Sequence, residues 1–394
     1  MSMVLDGIRV LDFGRYIAGP FCATLLADLG ADVIRIEKVD GGEDRWTSPV
    51  AEGGDGAGFM QWGRNKRGMT LNPRTPDGRQ ILERLVRTAD VVIANLPPST
   101  LVDMGLDYAS LTAIKRDIIL TTATAFGGPG PYAERVGFDG VAQAMSGNMY
   151  MTGDPKQPTK NFSPFVDYST AAFSAFGTLA ALMHKLRTGE GQHVEASLLR
   201  SALTIMNSTL IEQAVLQKNR IATGNRGQNA APSDTFRTRD GWLLVSVVGN
   251  PLFERWARLM NETHWLSDPR FATDERRGEH GEMISKRMAQ WCAQRTTAQA
   301  IAELEGARLP CGEVLSPQGA LENEHVHAAE LLRNVDFPGL AKPAPIAAPP
   351  IRMSKTPPTI RHRAPTLGEH TQVILEELGY DEAAIAQLRK ARVI

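Results

Sequence analysis

Apolar positions in the first third of the chain follow two patterns: short unbroken runs, and longer stretches in which they return every three or four residues. Residues 7–13 (GIRVLDF), 32–37 (DVIRIE), 90–94 (DVVIA) and 117–122 (DIILTT) are compact apolar runs and predict buried strands. Residues 19–30 (GPFCATLLADLG, closed by Gly30), 76–88 and a shorter stretch near 99–105 predict helices. Strands separated by helices imply an α/β fold, with a parallel sheet covered on both faces.

From about residue 225 the texture changes. TFRTRDGWLLVSVVG reads as two strands joined at an Asp240-Gly241 turn, and helical segments follow to about residue 325, which predicts a smaller α+β domain. Residues 337–360 hold seven prolines (338, 343, 345, 349, 350, 357, 358) and predict an extended connection that returns to the first domain. The segment TQVILEELGYDEAAIAQLRKA predicts two short helices around Gly379. The expected organisation is a large domain over 1–200, completed by 335–394, a small domain over 225–330, and linkers at 201–224 and 331–360. Tyr168–Met183 is the longest apolar stretch, but it carries Ser, Thr and Gly and falls short of the roughly 20 apolar residues a bilayer requires, so it predicts a buried helix.

Composition narrows the function classes. With 394 residues and 42% apolar side chains the chain can fill two cores. A net charge of -1, from 43 basic and 44 acidic residues, offers no overall field for nucleic acid or an anionic membrane, so any anion must be held by a local cluster. Cys22, Cys292 and Cys311 lie far apart without C-x-x-C spacing, which suits a reducing cytosol and argues against a disulfide frame or a zinc site. The segment MSMVLDGIRVLDFG has neither the basic nor the apolar region of a signal peptide, and the expected location is cytoplasmic.

A strand–helix–strand start raises the question of a dinucleotide, with Glu37 where a ribose-binding acid would sit. The turn GRYIAGP lacks the G-x-G-x-x-G fingerprint and puts Pro20 where free amides are needed, which argues against NAD or FAD. In GRNKRGMTLNPR, residues 63–74, Arg64, Lys66, Arg67 and Arg74 stand close together; they suit either a ligand with several phosphates or a solvated loop. All eight histidines lie at or after His184, so a site in the first 183 residues works with carboxylates, amides or cations. Asp12, Asp28, Asp32, Asp90 and Asp117 flank strands or helices and read as caps or turn residues. Asp167 differs. It lies between an apolar approach and a long Ala-rich helix expected to be capped by Ser169 or Thr170, where unpaired amides and the helix dipole favour an ionised carboxylate. Such a group can attack a thioester carbonyl, or it can simply be an N-cap.

Together, LDGIRVLDF, AGPFCATLLADLGADVIRIEK, NKRGMTLN, DVVIANLPP, GFDGVAQAMSG, VDYSTAAFSAFGTLAAL, RTGEGQHVEASL, GNRGQNAAP, LPCGEV and PTLGEHTQVILEELG, in this order over almost the whole chain, resemble the class III coenzyme A-transferases, which include formyl-CoA and carnitine CoA-transferases. The resemblance implies a Rossmann-like large domain and an interlocked homodimer. It also implies an intermolecular transfer of CoA from an acyl-CoA to a carboxylic acid through an aspartyl-CoA thioester on Asp167, with no metal and no NAD. The implied CoA contacts are Ile17 and Ala18 after the first strand, Lys38, the stretch Leu71, Asn72 and Arg74, the loop Asn95, Leu96 and Pro97, and the segment from Arg135 to Phe138.

Two departures stand out. Asp103 in STLVDMG replaces an arginine usual in the family, so that a phosphate contact is either missing or supplied by Arg135. Residues 223–232 and 247–250 are candidates for the loop that covers the site, but neither is the run of glycines seen in formyl-CoA transferase. Alternatives are an intramolecular CoA-transferase on a diacid, a 2-methylacyl-CoA racemase, which the resemblance disfavours because Phe138 replaces the racemase histidine, and a CoA-ester-binding subunit without turnover.

Overall fold

A computed structural model describes residues 3–394. Six parallel strands form the main sheet: β1 (Arg9–Asp12), β2 (Asp32–Glu37), β3 (Lys66–Thr70), β4 (Val91–Ala94), β5 (Ile119–Thr124) and β6 (His193–Ser197). Their spatial order is β3-β2-β1-β4-β5-β6. The helices that matter for the site are α1 (Ala18–Asp28), α2 (Pro76–Thr88), α3 (Asp139–Met145), α4 (Phe165–Thr188) and α5 (Leu198–Leu216).

The apolar runs form strands because adjacent side chains enter different cores. Val10, Val33 and Val91 face a cluster completed by Phe21 and Leu26 of α1 and by Ala171 and Ala175 of α4. Their neighbours Leu11, Ile34 and Val92 face the opposite cluster, with Ile81, Leu82 and Leu85 of α2 and Ile374 and Leu388 of the helices Thr371–Glu377 and Glu382–Lys390. Helix α2 starts where Thr75 Oγ1 accepts from Gly78 N at 3.0 Å and Pro76 occupies the first turn, a placement proline tolerates because its missing N–H would have had no partner.

The chain forms two compact units, one from the described residues up to Ser146 with Phe162–Leu210 and His327–Ile394, the other from Gly147–Asn161 and Ile211–Val326. The second contains the expected hairpin, Ser233–Arg237 with Trp242–Ser246, extended by Cys311–Glu313, over a core of Trp256, Phe253, Trp265 and Phe271.

Several expectations need correction. Much of 201–224, expected as a linker, is helical, because α5 runs to Leu216. Within 331–360, Leu332–Val335 and Ala344–Ala347 pair as an antiparallel hairpin that places Pro345 in a two-stranded ladder, where it has no second neighbour to bond. The Ala-rich helix is not buried all round: Phe173, Phe176 and Met183 on α4 are 45%, 74% and 54% exposed. Strand β6 escaped the sequence reading because its side chains alternate between polar and apolar in only five residues, as suits the edge of a sheet.

Candidate active site

The strand order reverses between β1 and β4, so the loops leaving their carboxyl ends diverge into a crevice of the kind in which open α/β sheets hold ligands. A cavity of about 800 Å³ occupies it, the size of a small-molecule site. Phe13, Tyr16 and Ala18 after β1, Lys38 and Glu43 after β2, Leu71 to Thr75 after β3, Asn95 to Pro98 after β4, and Ala123 to Ala125 at the end of β5 form its walls. Asp167 of α4 and the segment Arg135 to Phe138 close one side.

Buried charge holds the floor. Lys66 Nζ donates to Asp12 Oδ2 at 2.8 Å and to the Pro20 carbonyl at 2.7 Å, with both charged side chains wholly buried. Arg35 reaches Asp12 at 3.5 Å and Asp44 at 2.6 Å and donates to the Gly14 carbonyl, while Arg15 pairs with Asp44 at 3.1 Å and with Glu43. Burial pushes the Asp12 carboxyl up, but Lys66 and Arg35 outweigh it and hold Asp12 below the usual carboxylate range. This network fixes the turn after β1. Gly14 has no room for a side chain: a Cβ there would stand 2.6 Å from Pro20 Cδ and 2.8 Å from Asp12 Oδ1.

Asp167 is the third residue of α4, neither its cap nor ahead of it. Ser169 and Thr170 do not cap the helix either; Ser169 Oγ turns back to the Val166 carbonyl at 3.0 Å and Thr170 Oγ1 bonds Ser201 Oγ at 2.8 Å. The cap comes from Asp139 of α3, whose Oδ2 accepts from the backbone N–H of Val166 at 2.8 Å and of Asp167 at 3.1 Å and whose other oxygen accepts from Gln143. The expectation that the helix start would favour an ionised Asp167 therefore fails, because Asp139 already occupies those amides. Burial, and then the negative charge of Asp139, push the Asp167 carboxyl up to about 7. Its oxygens receive no hydrogen bond from the described residues, and the residue lines the cavity.

Of the CoA contacts expected from sequence, Ala18, Lys38, Leu71, Asn72, Arg74, Asn95, Leu96, Pro97, Arg135 and Phe138 line the same cavity as Asp167. Ile17 does not; its side chain packs into the core beneath α1. The Asn95 amide is engaged on both sides, accepting from Arg15 N at 2.5 Å and donating to the Arg15 carbonyl at 2.7 Å, so it ties the loops after β1 and β4 together. Lys38 pairs with Glu43 at 2.9 Å at the rim. Arg74 is exposed and has no ion pair among the described residues, and Arg135 lies 4.5 Å from the Tyr132 ring centre. The Phe138 ring meets Tyr16 edge-on at 5.2 Å. No described histidine lines the cavity.

The cation cluster read from residues 63–74 comes apart. Arg64 is buried on Asp28 at 2.8 Å, Lys66 on Asp12, and Arg67 bridges Asp32 at 2.8 Å and Glu377, leaving only Arg74 at the cavity. Asp12, Asp28 and Asp32 are thus partners of buried or half-buried cations rather than caps, and Asp90 and Asp117 share Lys185 at 2.9 Å each. Glu37, the candidate ribose ligand, is held bidentately by Arg45 at 3.0 and 2.6 Å. Asp103 stays outside the cavity, between Thr100 and Met104 that line it. Sequence reasoning missed Tyr16, Glu43 and Arg392 in the wall; Tyr16, with φ of 58° in a turn that offers glycines on either side, carried the one local signal.

Comparison with known proteins adds the chemistry. A sequence model described as CoA-transferase family III matches residues 5–371. The succinyl-CoA–D-citramalate CoA-transferase of Chloroflexus aurantiacus is 34% identical over 99% of this chain and 98% of its own. The succinate–glutarate CoA-transferase of Agrobacterium fabrum is 34% identical over 95% of both chains. Among solved structures, a CaiB/BaiF family protein from Brucella suis superposes with a TM-score of 0.83 at 32% identity, covering 96% of this chain and 100% of that one.

Proposed function

Since the chain belongs to CoA-transferase family III and is a CoA-transferase, we propose that Asp167 is its covalent nucleophile and that the cavity at the sheet reversal holds the acyl-CoA. One observation carries this reading: a carboxylate with no hydrogen-bond donor, raised to about 7, borders a cavity roomy enough for a nucleotide-bearing thioester. The high basicity that burial confers makes the ionised form a stronger nucleophile than an ordinary aspartate.

The transfer runs in four displacements. Asp167 attacks the donor thioester carbonyl, the C–S bond breaks, and an acyl-aspartyl anhydride and CoA thiolate result. The thiolate then attacks the aspartyl carbonyl, releasing the donor acid and leaving aspartyl-CoA thioester. The acceptor carboxylate attacks that thioester and expels the thiolate. Attack of the thiolate on the acceptor's acyl carbon gives the new acyl-CoA and restores the Asp167 carboxylate. Ala18 and Phe138 border the reacting end in this reading, while Lys38, Leu71, Asn72 and Arg74 border the nucleotide.

Succinyl-CoA stands in the names of relatives from Chloroflexus aurantiacus and mouse, whereas the acceptors in those names differ. This supports a dicarboxylic acyl-CoA as donor here and leaves the acceptor open to a substrate panel. The exposed Phe173, Phe176, Met183 and Leu186 of α4 support a homodimer that buries them.

The test is to incubate the protein with succinyl-CoA, quench with hydroxylamine and analyse the peptides by mass. A hydroxamate on Asp167, absent from Asp167→Ala, is expected. Transfer at the native rate in Asp167→Ala, or a hydroxamate on another residue, would overturn the assignment.

A further inference from the structure

Arg392 belongs to none of the motifs that carry the family resemblance, yet it lies in the wall of the cavity beside Ala391. We infer that its guanidinium binds the ribose phosphate of the coenzyme A nucleotide, exchanging Asp40 for that phosphate when the ligand enters; this rests on the CoA reading of the cavity.

The placement comes from the backbone. Helix Glu382–Lys390 ends with Arg392 N–H bonding the Arg389 carbonyl at 3.0 Å and Val393 N–H bonding the Leu388 carbonyl at 3.0 Å, a terminal loop that requires a left-handed residue. Arg392 takes that conformation, with φ of 54°. At Gly105 and Gly189 the chain ends helices with glycine in this region. Arg308 adopts it too, away from the cavity, so the conformation alone assigns nothing. What it does here is fix the direction in which the side chain leaves, because Val393 and Ile394 beyond it are buried in the core with Leu388.

Register then gives the depth. Val393 O accepts from Asn72 N at 2.8 Å, which lays this segment along the loop after β3, next to Arg74. Strand β3 is one edge of the sheet, and α4, which bears Asp167, packs on β5 and β6. Four strand spacings of about 4.8 Å, roughly 19 Å in all, separate β3 from β5, one of the strands that α4 covers. An extended acyl-CoA with its thioester at Asp167 therefore brings its far end, the ribose and its phosphate, to Lys38, Arg74 and Arg392.

The existing partner is a weak competitor. Arg392 pairs with Asp40 at 2.5 and 2.7 Å, but the two side chains are 68% and 75% exposed, and pairs so open to water contribute little. A phosphate dianion, flanked by the unpaired Arg74, offers the same fork more charge and bidentate oxygens.

Calorimetric titration of the full chain with CoA and with 3′-dephospho-CoA tests this. The native protein should bind CoA about tenfold more tightly than dephospho-CoA. Arg392→Gly, whose new residue suits the left-handed backbone, should lose about tenfold for CoA while its dephospho-CoA affinity stays within about twofold. Arg392→Gln, which keeps the side-chain length without the charge, should behave in the same way. An Arg392→Gly protein that binds CoA as well as the native one, or that loses equally for both nucleotides, overturns the role of Arg392 alone. A native protein that binds neither overturns the CoA reading of the cavity, and this assignment with it.

Discussion

Replacing Asp167 by asparagine should stabilise the protein while abolishing transfer. The rise of the carboxyl from its ordinary 3.8 to about 7 means that the folded state disfavours the charge. At about 1.4 kcal/mol per tenfold change in acidity, this is about 4 kcal/mol, and the side chain's partial contact with solvent brings it to about 2–3 kcal/mol. The sign follows from proton binding: between pH 3.8 and about 7 the folded chain holds the Asp167 proton more tightly than the unfolded chain, so native stability falls as pH rises through that window. Asparagine has the same shape and no charge, so this contribution to the slope disappears. For a cooperative unit of about 250 residues, 2–3 kcal/mol raises the melting temperature by about 4–10 °C. The assay is differential scanning calorimetry of both proteins from pH 5 to pH 8. The melting-temperature gap should be widest at pH 8 and narrow towards pH 5. A gap independent of pH, or a native protein more stable than Asp167→Asn at pH 8, would refute the reasoning.

Two further predictions follow from the same physics. In the native enzyme kcat/KM for the acyl-CoA should rise as pH increases through about 7, when Asp167 ionises, and Asp139→Asn should move that limb to lower pH by about one pH unit, since it removes a like charge but leaves the desolvation; an unmoved or upward-shifted profile counts against the Asp139 contribution. Lys66→Met should destabilise the fold by about 3–5 kcal/mol in urea melts by stranding the buried Asp12, and Asp12→Leu combined with Lys66→Met should recover much of that loss; a double variant weaker than the single one would show that the pair is not the source.

Much of the frame was legible because it is local. Residues 32–37 and 76–88 end where the sequence predicts, the first bounded by its own apolar run and the second by Thr75 and Pro76. Asp167 could be singled out because it opens the Ala-rich stretch, although it lies in the first turn of α4 rather than ahead of it. Its environment could not, because the Asp139 that caps α4 lies 28 residues upstream on another helix. Charge in a sequence window likewise shows density without partners: Arg64 finds Asp28 36 residues away, Lys66 finds Asp12 54 residues away and Arg67 finds Glu377 310 residues away, so three of the four clustered cations are tied to distant acids rather than to a ligand. Arg392 reached the cavity wall only through a helix end that packs back onto β3.

The buried charges beneath the turn after β1 constrain how such a protein can diversify. Asp12, Lys66, Arg35 and Asp44 form a chain in which each acid serves more than one cation. Loss of any one charge strands its neighbours, so single drift at these positions passes through a poorly folded intermediate and compensating changes must arrive together. The loops above are tied by the Asn95 hydrogen bonds and by water-exposed pairs such as Lys38–Glu43 and Arg392–Asp40, whose loss strands no buried charge. New acid preferences can therefore accumulate there one residue at a time, over a foundation that is inherited as a block.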